Sequence, residues 1–186
     1  MDEKLNKIIE ELKSRIRDMF SNDKSGHNID HLERVMKTAV YIAKKEGGNM
    51  NVVAISAILH DIHRILADKE RTFVSPKDSL PTIRELLKDI DITSEEKEHI
   101  CYAIEHHEEY SFGGGTVTVT DIESKILQDA DNIDAAGAIG IGRTFAFGAA
   151  HNCPQYTPEI PLEEGEYNEA TFDESTIHHC VNKLQD

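Results

Sequence analysis

His60 and Asp61 stand side by side at the end of an almost unbroken apolar run, Val52 to Leu59. A run of that kind reads as a buried helix. Two polar, metal-capable side chains at its end are costly to bury unless something satisfies them. His31, in the upstream stretch His27 to Val35, and Asp131, in the downstream stretch Gln128 to Ala135, could do so. The set of two imidazoles and two carboxylates suits Mn²⁺, Fe²⁺, Co²⁺, Ni²⁺ or Zn²⁺ better than the all-oxygen preference of Ca²⁺. A divalent ion held this way lowers the pKa of a bound water and polarises a phosphoryl oxygen. Asp61 could accept a hydrogen bond from that water and act as a base. Asp134, close by, reads instead as a solvated helix-face carboxylate.

Neighbouring helix residues point about 100° apart. His60 and Asp61 can therefore share an ion only if it lies beside their helix, with the other ligands arriving from adjacent helices. The chain reads as a succession of such helices. The first covers roughly 3–20, with Leu5, Ile8, Ile9, Leu12, Ile16 and Met19 on one stripe. The second covers about 29–46 and stops at Gly47-Gly48. The third begins near Asn51, a plausible N-cap, and ends on the His-Asp pair. Residues 64–78 read as a loop or short helix, and a fourth helix is expected from Ser79 to Lys88 with Pro81 in its first turn. Capping boxes at Thr93–Glu96, Thr120–Glu123 and Thr171–Glu174 announce three more helices. The first of these ends near His106-His107, the second carries Asp131 and the third is C-terminal. His31 lies four residues before Val35, and Asp131 four after Leu127, so each is expected to point inward. Gly113–Gly115 reads as a mobile loop, and the alternation after it as a short strand without an obvious partner. The small, glycine-rich residues 137–150 read as a helix packed closely on a neighbour. Neither a phosphate-loop nor a dinucleotide fingerprint is present. Residues 151–170 are polar, with three prolines, and are expected at the surface.

The 186 residues suit one domain, taken as 1–186 with its core at about 20–184. A net charge of -15 argues against nucleic-acid polymers or anionic membranes as partners. It leaves room for a small phosphorylated ligand, since a divalent ion reverses the local field. Three cysteines without zinc-type spacing, a charged N-terminus without an apolar signal segment and no apolar stretch of bilayer length point to a cytoplasmic protein.

These residues resemble the HD-domain superfamily of metal-dependent phosphohydrolases, and in particular a small single-domain bacterial and archaeal subgroup. The likeness rests on His31 with Arg34-Val35, on Leu59-His60-Asp61-Ile62 and on Ala130-Asp131. It extends to Gly26-His27, to the block from Glu123 to Asp131 and to Gly137 through Phe145, over roughly residues 20–184. The resemblance implies an all-α helical bundle with a divalent ion (Mn, Fe, Ni, Co, Zn or Mg) between helices, held by His31, His60, Asp61 and Asp131. It makes Asp129 a residue that orients a ligand or a water. His27, His107, Lys125 and Arg143 become candidate substrate contacts, although Arg143 could equally pair with a carboxylate between helices.

Some subgroup members hydrolyse nucleoside triphosphates to monophosphate and pyrophosphate, which makes a nucleotide the implied substrate. No aromatic platform for a base is evident, and Tyr110 and Phe112 could form a lid. The sequence departs from the subgroup at His63-Arg64. It also departs after His178-His179-Cys180, where similar proteins continue with more helix, which bears on whether it forms a homodimer. Two other readings are weighed against the phosphohydrolase. One is a di-metal HD oxygenase using His63 or His106-His107; the other is a non-catalytic regulatory module.

Overall fold

The computed structural model describes residues 1–70, 74–108, 119–160 and 175–184. Among the described residues the secondary structure is entirely helical, as the sequence patterning requires. The helices are α1 (Glu3–Phe20), α2 (Ile29–Glu46), α3 (Met50–Leu59), α4 (Ile62–Glu70), α5 (Pro76–Leu87), α6 (Ser94–Glu105), α7 (Ile122–Asp134), α8 (Gly137–Ala150) and α9 (Thr176–Leu184).

Helix α3 is the axis of the fold. Every residue from Val52 to Leu59 is buried, which accounts for an apolar run with no polar face. It packs against α1, α2, α6 and α7, and α2 also lies along α7. The amphipathic helices turn single stripes onto it: Leu5, Ile8, Ile9, Leu12, Ile16 and Phe20 from α1, and Leu32, Val35, Met36, Ala39, Val40 and Ala43 from α2. By composition, Met50–Ala67 is long and apolar enough to cross a bilayer (mean hydropathy 1.3), contrary to the sequence expectation. That window spans α3 and α4, however, and 67% of it is buried inside the bundle.

Several boundaries differ from expectation for identifiable reasons. Helix α3 is capped by Asn49, whose side chain accepts from the N–H groups of Asn51 and Val52, rather than by Asn51. The segment read as a loop or short helix holds most of α4, which starts two residues earlier, at Ile62. Helix α5 starts at Pro76, because Ser75 and Asp78 form a capping box, so Pro81 falls in its second turn. The box at Thr93 and Glu96 forms. The one at Thr120 does not: Asp121 caps α7 through the Ser124 N–H, and Glu123 instead accepts from the Asn49 N–H at 2.7 Å. The box at Thr171–Glu174, the lid residues Tyr110 and Phe112, the triple glycine and most of the supposed strand lie outside the described residues.

Two glycines are mechanically required. Gly47 ends α2 at φ +94° with its N–H on the Ala43 carbonyl. At Gly140 a Cβ would stand 1.9 Å from the Ala135 carbonyl oxygen, so only glycine lets α8 fold back this closely on the end of α7.

Candidate metal centre

Each element delivers its polar residue through local chemistry. Asn28 caps α2 by accepting from the His31 N–H, which sets His31 in the first turn on the inner face. His60 is the C-cap residue of α3, and Asp61 occupies the turn before α4. Asp131 lies on the inner side of α7. The four side chains converge: His31 Nε2 is 3.1 Å from Asp61 Oδ2 and 3.5 Å from Asp131 Oδ1, and His60 Nε2 is 3.5 and 3.8 Å from the same atoms. Ligands about 2.1 Å from one ion stand roughly 3.0–3.4 Å apart in octahedral or tetrahedral arrangements, so this spacing is close to a coordination shell.

The tautomers decide what the site can accept. Arg143 Nη2 lies 3.2 Å from His31 Nε2. A guanidinium only donates, so Nε2 carries a lone pair and Nδ1–H donates to Asp134 Oδ2 at 2.8 Å. The other Nδ1 atoms face backbone carbonyls, which only accept: His60 to Ala57 (2.9 Å), His63 to His60 (3.2 Å) and His107 to Ile104 (2.7 Å). In its neutral form each of these rings therefore turns the lone pair of Nε2 inward. His60 Nε2, Asp61 Oδ2, His63 Nε2 and His107 Nε2 are buried without a hydrogen-bond partner. Lone pairs facing carboxylate oxygens at 3.1–3.5 Å repel unless a proton or a metal ion lies between them. Imidazoles oriented by carbonyl or carboxylate acceptors, with the free nitrogen on the cavity side, are what a metal site requires. The residues present therefore fit a divalent ion.

The electrostatics agree. Burial would lower the pKa of His60, but the Asp61 charge and the nearby Asp131 carboxylate outweigh it and raise it to about 9. Burial works against ionisation of Asp61, yet His60, His31 and the more distant His27 and Arg64 hold its carboxyl well below the usual range. Asp131 is likewise held low, against burial, by His60 and His31. The pocket is an anionic cradle that calls for positive charge.

Asp134 is not the solvated carboxylate expected. Its side chain is 7% exposed. It accepts from His31 Nδ1, from Arg34 Nε and Nη2 at 2.7 and 3.0 Å and from Arg143 Nη1 at 3.0 Å. Burial opposes its ionisation, but the His31 and Arg34 bonds hold its pKa well down. The signal was available: Asp134 follows Asp131 by three residues and Leu127 by seven, on the same α7 stripe.

Asp129, assigned to orient a ligand, and Lys125, assigned to substrate, do not reach the site. Asp129 is about 200° around α7 from Asp131. Both are exposed and line a groove between α2 and α7 with Ile42, Ile122 and Ile133. Arg143 does reach the site, but it is held by Asp134 and by the Gly26 carbonyl at 2.8 Å, the pairing alternative. His107 is buried, and burial with the neighbouring His60 and His63 lowers its pKa to about 4 against the pull of Glu108. It remains a neutral acceptor and has no proton to offer a phosphate oxygen.

His27 stands at the rim. Ser25 Oγ–H donates to Asp23 at 2.6 Å, so the 2.8 Å contact between Ser25 Oγ and His27 is a donation from His27 Nδ1–H. The His27 ring is 5.8 Å from His31 and 5.5 Å from Phe147, and Phe147 stacks on His151 at 4.0 Å. This aromatic row was not visible in the composition.

A family model for the HD domain matches residues 28–136. The chain is 29% identical over 154 residues to the uncharacterized protein YpgQ of Bacillus subtilis (strain 168), covering 82% of this chain and 72% of YpgQ. Among solved structures, a Lactobacillus plantarum protein matches with a TM-score of 0.76 at 27% identity, over 99% of this chain and 82% of that one. An HD-superfamily hydrolase from Bacillus thuringiensis matches at 0.60 with 32% identity, over 84% and 73%. YpgQ in complex with ADP matches at 0.64 with 26% identity, over 95% and 81%.

Proposed function

Because this chain belongs to the HD-domain family, we propose that it is a metal-dependent phosphohydrolase acting on a nucleotide or another small phosphate ester. The first candidate reaction is cleavage of a nucleoside triphosphate to monophosphate and pyrophosphate. The observation that carries this reading is the convergence of His31, His60, Asp61 and Asp131 at 3.1–3.8 Å, with His60 Nε2 and Asp61 Oδ2 buried and without a hydrogen-bond partner. The likeness to YpgQ, whose structure holds ADP, supports the nucleotide.

A divalent ion bound by those four residues would supply Lewis-acid polarisation of a phosphoryl oxygen and acidify the attacking water. The chain's own residues do the rest. Asp61 is ionised at neutral pH and can accept the hydrogen of that water at a carboxylate oxygen. Burial, together with Arg64, Arg143 and His31, outweighs the pull of Asp61 and keeps His27 neutral. It offers a second acceptor at its Nε2, with the ring fixed through Ser25 and Asp23. Arg143 holds a positive charge beside His31 that offsets charge developing on the phosphoryl group. The Phe147–His151 stack offers an apolar face against which a base can lie.

The test is a screen for phosphate and pyrophosphate release over nucleotides with Mn²⁺, Mg²⁺, Co²⁺ and Ni²⁺, with Asp61→Ala as control. Metal-dependent release that is abolished in Asp61→Ala is expected. Undiminished activity in that variant would sink the mechanism.

A further inference from the structure

A different cluster lies at the opposite end of α7. Asp121, the N-cap of that helix, stands ten residues, roughly 15 Å along the axis, before Asp131. His99 reaches it from α6, with Nε2 2.9 Å from Asp121 Oδ1 and 3.6 Å from Glu123 Oε2. One ligand atom from each of His99, Asp121 and Glu123 lies within 4.8 Å of the other two. None of the three belongs to the four-ligand centre.

The cluster is short of positive charge. Glu123 is 8% exposed, and its other oxygen is committed to the Asn49 N–H at 2.7 Å. Asp121 Oδ1 accepts from the Ser124 N–H as well as from His99. Asp121 Oδ2 is buried with no hydrogen-bond partner, and so is the hydroxyl of Ser124, which is 0% exposed. That hydroxyl lies close enough to Asp121 to help hold its carboxyl low. Burial opposes ionisation of Asp121, but His99 and Ser124 outweigh it, so the group is charged at neutral pH. Among the described residues, neither carboxylate is paired with a lysine or arginine.

A proton on His99 does not complete the set. It satisfies Asp121 Oδ1, leaves Glu123 Oε2 beyond hydrogen-bond distance and balances only one of two negative charges. A neutral water balances neither. A divalent ion in place of that proton offsets both charges and takes a lone pair from all three residues.

We propose that His99, Asp121 and Glu123 bind a divalent transition ion such as Zn²⁺, separate from the four-ligand centre. One imidazole and two carboxylates are ligands Zn²⁺ accepts, with water completing the shell on the partly open side. Such an ion clips α6 to the start of α7 and, through the Glu123–Asn49 bond, to the start of α3. The inference is independent of the bond the protein cleaves.

The test is calorimetric titration of the metal-stripped full chain with Zn²⁺, with metal analysis of the saturated protein, for the wild type, His99→Gln and Asp121→Asn. Asp121→Asn keeps an oxygen to cap the Ser124 N–H, so it removes charge without uncapping the helix. Each variant is expected to keep its circular dichroism and to hold one Zn²⁺ fewer per chain than the wild type, or to bind that equivalent more than about tenfold more weakly. The His99-dependent equivalent should persist in Asp61→Ala, because the two places share no ligand. Unchanged Zn²⁺ count and affinity in either folded variant overturns the proposal. Disappearance of the His99-dependent equivalent in Asp61→Ala overturns it too, by assigning that ion to the four-ligand centre.

Discussion

Replacing Asp134 with Asn tests whether the geometry of His31 is imposed from α7. The carboxylate receives four N–H donors: His31 Nδ1, two from Arg34 and one from Arg143. Three of them converge on Oδ2. An amide keeps one acceptor oxygen, with two lone pairs, and turns an NH₂ group toward the rest. With the oxygen in the Oδ2 position, that NH₂ faces the Nε–H of Arg34, donor against donor. At least two of the four bonds are lost, and they are charge-assisted bonds in a site only 7% exposed. At about 1.5 kcal/mol each the stability cost is about 3 kcal/mol, or a fall of roughly 6–12 °C in Tm for a chain of this size. The metal consequence is separate. His31 loses the acceptor that fixes its tautomer, and loss of such a partner typically weakens metal affinity 10–100-fold. Calorimetric titration of stripped Asp134→Asn with Co²⁺, below its melting temperature, reads this directly. A variant that melts early but binds the first Co²⁺ as tightly as wild type would refute the orienting role and leave Asp134 a purely structural ion-pair partner.

Three other perturbations follow from the packing. Glu96 accepts from the Thr93 N–H and from the side chains of Asn49 and Asn51; burial opposes its ionisation, but these bonds hold its pKa below 4.5. A depressed carboxyl stabilises the fold above its unfolded pKa, and the contribution is lost as pH falls through the folded value. Glu96→Gln should therefore cost about 1 kcal/mol at pH 7, and urea midpoints should show the gap closing below pH 4.5; a gap independent of pH would contradict the assignment. Gly140→Ala drives a Cβ into the Ala135 carbonyl, and a loss of about 1–3 kcal/mol is expected by thermal melting; an unchanged Tm would mean that α8 can shift freely. Ile55→Ala, in the fully buried α3, should cost about 2–5 kcal/mol in urea unfolding, and a loss under 1 kcal/mol would deny α3 its central place.

The legibility of the chain followed the strength of its local signals. Stripes in α1 and α2, the glycine stop after α2 and the Thr93 box are local devices, and they appear where patterning puts them. Helix α4 was left open between loop and short helix, because an amphipathic segment of nine residues carries little periodic signal. The Thr120 box failed because Glu123 is claimed by Asn49, 74 residues away, a competition invisible to a four-residue motif. In the site, His31, His60, Asp61 and Asp131 are brought together, while Asp129 and Lys125 fall on the far side of α7. The family resemblance suggested Asp129, and its helical angle carries it away from the site. Asp134 was misread for the opposite reason: its charge suggested solvent, yet its place on the Leu127 stripe put it inside. The lone pairs of His63 and His107 needed the ring orientations, which depend on where each Nδ1 finds a carbonyl.

Those carbonyl contacts also bear on the order in which the centre comes together during folding. His60, His63 and His107 each find their acceptor three residues back, so their rings are set once the local turns exist. His31 finds its acceptor 103 positions away, on α7. Three imidazoles are therefore oriented by short-range structure, and the fourth waits for a long-range docking event. A chain caught before α7 docks would hold most of the donors in their final orientation and still lack both the His31 lock and Asp131. Tight retention of an ion then becomes a reporter of completed tertiary structure.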